Sequence, residues 1–420
     1  MFSTWGALTG LAVAILLIVR RSTPVYALAI GALLGGLLGG GGLADTVAAM
    51  ISGAQSMVPS ILRILTSGVL AGALVKTGSA ERIADAIVKA LGTRFALAAV
   101  AIATLIVTAV GVFVDIAVIT VAPVALAVGR RAGLPASALL IAMVGGGKAG
   151  NVISPNPNTI AAADAFGLDI TSVMAANLVP AACALAMTVA LSTFVARRNG
   201  VGGVDAVASA ESVGAGMRLP SLGAAVMGPI TVVALLALRP ACGFAVDPLV
   251  ALPAGGIVSM LACGHWRSVA GICEYGLSKV AGVSILLVGT GMVAGIIKGS
   301  GLNADMISLL NTCHLPAFAL APLSSVLLSG ATASTTAGVT IAAQTFSGVL
   351  VQAGVPALSA AAMLHAGGTI FDALPHGSFF HATAGAVGMS VKERLKLFPY
   401  GTLVGATTTV VSVLVYMLKS

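Results

Sequence analysis

Four charged side chains lie within long apolar segments of the sequence, where an uncompensated charge is costly: Lys148, Asp115, Asp164 and Asp372. A lysine at the centre of a membrane costs roughly 2.5–3.5 kcal/mol on insertion scales, so it normally faces a cavity and has a partner. Lys148 is therefore predicted to bind the carboxylate of a substrate. A structural ion pair with Asp164 or Asp115, or a side chain that extends to an interface, is the alternative. Burial raises the pKa of a carboxyl group, so the three aspartates are predicted to take up and release a proton, with capping or ion pairing as the alternative.

Two histidines, His376 and His381, lie in and just after a polar interruption at residues 366–380. An imidazole changes its charge near physiological pH, so both are candidates for proton transfer, and His376 also for hydrogen bonding to a substrate. Asp372 and His376 are four positions apart, and a shared proton would make their apparent pKa values a property of the pair. A purely hydrogen-bonded role for the histidines is the alternative.

The stretch from Gly145 to Phe166, GGGKAGNVISPNPNTIAAADAF, separates two apolar segments. Its two prolines lack an amide hydrogen and its three consecutive glycines cost backbone entropy, so the helix is predicted to open from Gly145 onward. Open backbone at membrane depth is tolerated only where protein covers it or a water-filled cavity borders it. The stretch is therefore predicted to form half of a binding site, in which polar side chains bind the substrate: Lys148, Asn151, Ser154, Asn156 and Asn158.

Two further segments are predicted to be the tips of re-entrant helical hairpins, Ala109 to Ile119 and Leu328 to Thr340. The second has several hydroxyl side chains in an otherwise apolar region, and these offer donors and acceptors to a substrate. Hydrogen bonds to the carbonyls of their own helix are the alternative. The hydroxyl-bearing residues predicted to bind substrate are Thr332, Ser334, Thr335 and, after the interruption at 366–380, Ser378.

The composition is that of a polytopic membrane protein: 58% of the residues are hydrophobic, 8% are charged and the mean hydropathy is +1.08. The 52 glycines indicate close helix packing through small residues. The net charge of +8 comes from basic residues in short loops between apolar runs, which argues against nucleic-acid binding. Five scattered cysteines without CxxC spacing indicate neither a metal site nor a disulfide framework, and no cofactor is predicted.

The apolar runs form two matching sets, before and after a polar segment at residues 197–218 that is predicted to be a flexible linker. Gly68 recurs 223 positions later as Gly291, and AGLPA at 132–136 recurs 221 positions later as AGVPA at 353–357. Duplicated halves of this kind are a recurring design of transporters.

Each half, residues 1–196 and 219–420, is predicted to contain five spans and one re-entrant hairpin. An odd number of spans gives the halves opposite orientations, so the fold class is all-α with two inverted repeats. Fifteen basic residues, Arg20 and Arg394 among them, fall on one side and three on the other, which places the linker in the cytoplasm and both termini outside. The N-terminal apolar run is predicted to be a retained span, because its charges follow it.

Three stretches carry a resemblance to a known family: GVFVDIAVITVAPVALAVGRRAGLP, GGGKAGNVISPNPNTIAAADAFGLDI and FDALPHGSFFHATAGAVGMSVKERLKL. Within Ala109–Ile170 and Ala331–Leu397 they resemble the gluconate:proton symporter family of the ion transporter superfamily. That family usually has a histidine in a proline-rich PPHPGP loop, whereas this chain has SPNPN at 154–158. The resemblance implies two inverted repeats with re-entrant hairpins and broken helices around a central anion site, proton coupling and elevator-like alternating access.

The sequence thus predicts a secondary active transporter of the inner (plasma) membrane that takes up a small organic anion, such as a sugar acid or hydroxycarboxylate, with protons. Coupling to sodium is the second hypothesis, because carbonyls freed at Gly145–Gly147 and Gly367–Gly368 could ligate that ion. A channel is a third, whereas an enzyme is disfavoured because no HExxH, GxSxG or Cys–His arrangement occurs. The predicted partners are the anion, protons or sodium, and the lipid bilayer, and a homodimer is left open.

Overall fold

The computed structural model describes residues 2–20, 22–198, 219–242, 244, 246–312 and 316–418. Twenty α-helices make up most of this part of the chain, which contains no β-strand and one isolated bridge, between Phe2 and Ser300. The predicted all-α class is therefore confirmed. The first two residues of the predicted linker belong to a helix, and the rest of it lies outside the described residues.

The helices of the first half are α1 (Thr4–Val19), α2 (Pro24–Leu38), α3 (Leu43–Gln55), α4 (Val58–Lys76), α5 (Ser79–Leu91), α6 (Ala96–Ala109), α7 (Val114–Ala132), α8 (Ala136–Asn151), α9 (Pro157–Ala165), α10 (Ile170–Ala176) and α11 (Leu178–Arg198). Those of the second half are α12 (Leu222–Cys242), α13 (Pro248–Ala262), α14 (Val269–Lys298), α15 (Leu302–Thr312), α16 (Leu320–Thr332), α17 (Thr335–Gln352), α18 (Ala357–Gly367), α19 (Ser378–Ala386) and α20 (Val391–Met417).

Four described helices, α4, α11, α14 and α20, are long and apolar enough to cross a membrane. Two bent pairs could each form one further span: α5 with residues 93–109, at 104°, and α9 with α10, at 107°. Six further apolar stretches have 10–17 residues, shorter than the roughly 20 residues of a full span: Thr4–Val19, Pro24–Leu38, Leu222–Leu238, Pro248–Ala262, Ala317–Thr332 and Ala357–Gly367. The described residues therefore provide four spans, or six with the bent pairs, and five spans in each half stays a prediction.

The long helix α14 packs against α2, α3, α4 and α17. Its crossings with α4 and α3 are formed by glycines. Gly68 of α4 lies against Gly276 of α14, and Gly291 of α14 lies against Gly53 of α3. In each case a Cβ atom on the glycine would meet backbone atoms of the other helix. Small residues supply this packing because lipid removes the hydrophobic drive between helices. Gly68 and Gly291, which match between the two halves of the sequence, therefore both lie at helix crossings.

Each half also contains a helical hairpin followed by a broken helix. Residues 110–113 join α6 to α7, and residues 333–334 join α16 to α17, at the two predicted tips. A glycine with positive φ then ends each hairpin, Gly133 at 65° and Gly354 at 84°, and leads into the broken helices α8–α9 and α18–α19. The matching AGLPA and AGVPA segments thus occupy matching places, because only glycine adopts such a backbone freely.

Candidate functional site

The first broken helix opens later than the sequence predicts. Helix α8 continues through Gly145–Gly147 to Asn151, and the break covers only residues 152–156. The predicted opening at the glycines is wrong because they serve helix packing: a Cβ atom at Gly146 would collide with the Ala101 carbonyl of α6. Since these glycines are helical, their carbonyls accept helical hydrogen bonds, and the sodium ligands predicted there are not freed.

Three buried asparagines shape the break. Asn156 caps α9: its Oδ1 accepts from two amides at 2.9 and 3.1 Å, and its Nδ2 donates to the Asn151 carbonyl at 2.8 Å and to Asn151 Oδ1 at 2.6 Å. Asn158 Nδ2 donates to the same Oδ1 at 3.1 Å, and Ser154 Oγ donates to the Thr108 carbonyl at 2.7 Å. In this structure these side chains bind other groups of the protein, and their binding to a substrate stays a prediction. The exception is Asn158 Oδ1, which has no partner among the described residues.

Lys148 lies one turn before the end of α8, and its side chain is only 1% exposed. Its Nζ donates to the Thr369 carbonyl at 2.6 Å and the Gly401 carbonyl at 3.1 Å, and lies 2.7 Å from Asp372 Oδ1. An ammonium has three hydrogens, so these three partners use its whole donor capacity. The structural ion pair considered for Lys148 therefore exists, but its partner is Asp372 rather than Asp164 or Asp115.

Asp372 connects this ion pair to the second hairpin. It lies in the break at residues 368–377 between α18 and α19, and its side chain is 6% exposed. Its Oδ2 accepts from Thr335 Oγ1 at 2.8 Å, and Thr335 is the first residue of α17. Val114, at the first hairpin tip, packs where a Cβ atom of Gly147 would lie. The ion pair therefore joins both broken helices and contacts the second hairpin tip, and the first tip packs against α8 at the residue before Lys148.

The other hydroxyls predicted at the second tip bond locally. Thr332 Oγ1 donates to the Leu328 carbonyl at 2.8 Å, and Ser334 caps α17 by accepting from the Ala337 amide. Ser378, the first residue of α19, is exposed. The alternative of local hydrogen bonds thus accounts for Thr332 and Ser334, and Thr335 is the predicted hydroxyl that reaches the ion pair.

Asp115 and Asp164 form no ion pair with Lys148. Asp115 lies in the first turn of α7, where its Oδ1 accepts from the Ile116 amide at 2.9 Å. Asp164 binds Arg63 of α4, whose guanidinium also binds Asp247 at 2.6 Å. Hydrogen bonds from Arg63 hold the pKa of the Asp247 carboxyl below its usual range. The capping and ion-pairing alternatives therefore describe Asp115 and Asp164 in this conformation.

Both candidate histidines are exposed and bind backbone carbonyls. His376 Nε2 lies 3.3 Å from the Ala331 carbonyl, and His381 Nε2 lies 2.8 Å from the Pro375 carbonyl. Within the described chain neither ring is hydrogen-bonded to Asp372, whose carboxylate contacts Lys148 and Thr335. The hypothesis that Asp372 and His376 share a proton has no direct contact to support it.

Arg394 is a candidate that the sequence analysis counted among the cytoplasmic basic residues and did not single out as a site residue. It lies in the first turn of α20 and is 2% exposed. Its Nε donates to Thr383 Oγ1 at 3.3 Å, and its guanidinium carbon lies 5.3 Å from the centroid of the Phe380 ring. Its Nη2 is buried without a hydrogen-bond partner among the described residues. The capping box of Ser390 and Glu393 starts this helix before Arg394, and that sequence signal could have identified the residue as helical.

Arg394 belongs to the same electrostatic site as the ion pair. It is seven positions from Gly401, whose carbonyl binds Lys148, so both lie on one face of α20. Asp372 attracts its charge and Lys148 is repelled by it, although Arg394 forms no ion pair within the described residues. Two buried cations and one carboxylate leave a net charge of +1, which favours the binding of an anion.

Comparison with known proteins identifies the family. Residues 4–419 match the family described as GntP family permease. The chain belongs to this family. A Haemophilus influenzae protein named "Uncharacterized transporter" is 50% identical over 414 residues, which cover 99% of this chain and 98% of that protein. A Haemophilus influenzae "Uncharacterized permease" is 28% identical over 172 residues, 40% of this chain and 35% of that protein.

A solved structure, that of the Alcanivorax borkumensis YdaH transporter, described as having an unusual topology, has the same fold as this GntP family permease. The TM-score is 0.66 over 90% of this chain and 88% of that chain, at 19% sequence identity. The predicted resemblance to the gluconate permease family is confirmed, and the GntP family permease is a membrane transporter. Family and relatives also point away from an enzyme.

Proposed function

We propose that this GntP family permease takes up a small organic anion, a sugar acid or hydroxycarboxylate, with protons across the inner membrane. The observation that carries the proposal is the buried Lys148–Asp372 pair at the meeting point of two broken helices. Burial of a charged pair costs several kcal/mol per ion in desolvation, roughly cancelling its attraction, so such a pair is weak evidence for stability. Ionisable residues at membrane depth more often mark a substrate or ion pathway.

In the proposed cycle Asp372 accepts the proton and Lys148 binds the substrate carboxylate. Protonation of Asp372 removes its negative charge and leaves Lys148 without an anionic partner. The substrate carboxylate then takes the place of the Asp372 carboxylate beside Nζ. On release, the substrate departs, Asp372 loses its proton, and the original ion pair forms again.

The balance of charge at Lys148 couples proton binding to substrate binding. The unloaded pair is neutral, and Lys148 with a substrate carboxylate and a protonated Asp372 is neutral as well. An anion bound without a proton would place two carboxylates side by side at Lys148, and a proton bound without an anion would leave the buried Lys148 ammonium without an anionic partner; both states are unfavourable. The carrier with both proton and substrate bound and the carrier with neither are therefore the two forms that can turn the site from one side of the membrane to the other. Arg394 keeps its charge in both forms and favours entry of an anion.

The proposed motion is elevator-like alternating access by two inverted repeats, residues 1–196 and 219–420. The paired arrangement of hairpin and broken helix in each half supports it, since repeats of this kind surround the substrate sites of many transporters. The cytoplasmic linker at 197–218 and assembly as a homodimer belong to the same proposal.

Reconstitution in proteoliposomes tests the coupling. D-gluconate should accumulate above its external concentration under an inward proton gradient, and a sodium gradient of equal size should not drive it. Lys148→Met should abolish accumulation. Accumulation driven by a sodium gradient alone would mean that sodium, and not the proton, is the coupling ion. Equilibration without accumulation would indicate a channel. Stabilisation of the purified protein by gluconate would report binding independently of transport.

A further inference from the structure

A second polar cavity, of about 250 Å³, lies apart from the buried ion pair. It is bordered by the start of α4 and by the ends of α9 and α14, together with the second half of α17. Its polar lining residues include Ser60, Asp164, Lys298, Gln344, Thr345 and Ser347. Gln344 is nine residues after Thr335, or about 13 Å along α17 at 1.5 Å per residue, so the cavity is separate from the site of Asp372.

Two buried side chains of this cavity lack a protein partner. Gln344 is 6% exposed and Thr345 is 3% exposed, and no hydrogen bond of either side chain occurs within the described residues. A helical threonine can donate to the carbonyl four residues earlier, as Thr290 does to Leu286 at 2.9 Å; Thr345 does not. Neither side chain is among the fully enclosed polar groups without a partner, so their polar atoms are accessible from the cavity that both residues line. Both groups therefore favour an occupant that offers hydrogen bonds.

The cavity also has an uncompensated positive charge at its rim. Lys298, at the end of α14, is exposed and forms no ion pair within the described residues. The nearby Asp164 is already bound to Arg63 and Ser60. An amide and hydroxyls inside with a free ammonium at the rim match the groups of a ligand that has both hydroxyls and a carboxylate.

We propose that this cavity is an entry site that binds a polyhydroxy monocarboxylate before it reaches Lys148. Gln344, Thr345 and Ser347 bind its hydroxyl groups, and Lys298 binds its carboxylate. Lys298 is one of the three basic residues that the predicted topology places outside, with Arg239 and Lys419, so the site lies on the proposed uptake pathway. The inference rests on the proposed function and adds to it a preference for hydroxylated acids.

The test compares three variants of the full chain, Gln344→Leu, Thr345→Val and Lys298→Gln, with two controls. Thr290→Val removes a buried threonine hydroxyl that bonds its own helix, and Lys392→Gln removes an exposed charge elsewhere. The measurement is the half-saturation concentration for D-gluconate in proteoliposome counterflow. Each cavity variant should raise it about 2- to 10-fold, the value of one hydrogen bond, with an unchanged maximal rate and unliganded melting temperature. The controls should leave it unchanged.

Competing ligands that carry only hydroxyl groups or only a carboxylate show which group each side chain of the cavity binds. Inhibition by D-glucitol, which keeps the hydroxyls but has no carboxylate, should weaken in Gln344→Leu and stay unchanged in Lys298→Gln. Inhibition by acetate, which has a carboxylate but no hydroxyl, should weaken in Lys298→Gln and stay unchanged in Gln344→Leu. The effect of Lys298→Gln should also shrink at high salt, because an exposed charge is screened.

Half-saturation concentrations equal to wild type in all three cavity variants would overturn the inference and leave water as the occupant. Equal losses with both competitors would also overturn it, since they would indicate a general distortion. Failure of the wild-type protein to bind or accumulate gluconate would instead contradict the proposed function, and it would appear before any variant is compared.

Discussion

Removal of Lys148 should be more harmful to the fold than removal of both partners of its ion pair. Lys148→Met keeps an apolar stem but leaves the Asp372 carboxylate buried with Thr335 as its one hydrogen-bond donor among the described residues. Breaking a buried pair in this way costs about 3–5 kcal/mol of unfolding free energy. The double variant Lys148→Met/Asp372→Asn removes both charges, because the amide that replaces the carboxylate is neutral and leaves no unpaired ion. The double variant should therefore be at least as stable as Lys148→Met.

The assay is a double-mutant cycle on detergent-purified protein, with wild type, Lys148→Met, Asp372→Asn and the double variant unfolded under identical conditions. Independent sites would add to within about 0.3–0.5 kcal/mol, whereas this pair should show a coupling energy of a few kcal/mol. Additive losses would refute the ion pair as described. Transport adds a second readout: all three variants should lose proton-driven uptake of gluconate, and normal uptake by Lys148→Met would contradict the proposed site.

Three further outcomes are expected. Thr335→Val should lower stability by about 0.5–1.5 kcal/mol and weaken uptake, because it removes the hydrogen bond to Asp372, whereas Thr332→Val should have little effect on uptake because its hydroxyl bonds its own helix. In His376→Gln, proton-driven uptake should stay unchanged, because the proposed cycle assigns the proton to Asp372 and this exposed ring contacts the Ala331 carbonyl. A fall in net uptake with surviving substrate exchange would instead give the ring the proton role, and equal loss of both would make it a ligand or structural residue. A cysteine at Asp205, outside the described residues, should be labelled only from the cytoplasmic side, and labelling only from outside would reverse the topology.

Local sequence signals predicted the places where helices end better than they predicted the partners of the charged residues. Glycine and proline restrict the backbone within a few residues, so the turn at Gly133 and the break around Pro155 and Pro157 follow from the sequence itself. Lys148 and Asp372 are 224 positions apart. Their contact depends on how two broken helices pack, which no local pattern contains. The sequence therefore identified Lys148 as needing a partner but could not select it.

One wrong prediction and one missed residue have a common physical cause, the use of rules for single residues where packing decides. Gly145–Gly147 were interpreted as helix breakers, but close contact with α6 and α11 outweighs their low helix propensity. Arg394 was counted only as a signal of topology, but its contacts with Thr383 and Phe380 keep its side chain in the protein interior. In both cases the deciding surface belongs to another helix.

Two of the ion networks within the described residues are suited to different tasks. Arg63, Asp164 and Asp247 are partly exposed, so solvent can replace their contacts, and exposed pairs contribute about 0–1 kcal/mol. Lys148 and Asp372 are almost fully enclosed by protein, so water does not replace either partner of the ion pair. That pair can separate only when a proton and an anion arrive to take over both charges. A pair that opens freely cannot enforce coupling, whereas one that opens only on exchange of both partners can, and this favours Lys148–Asp372 as the coupling element.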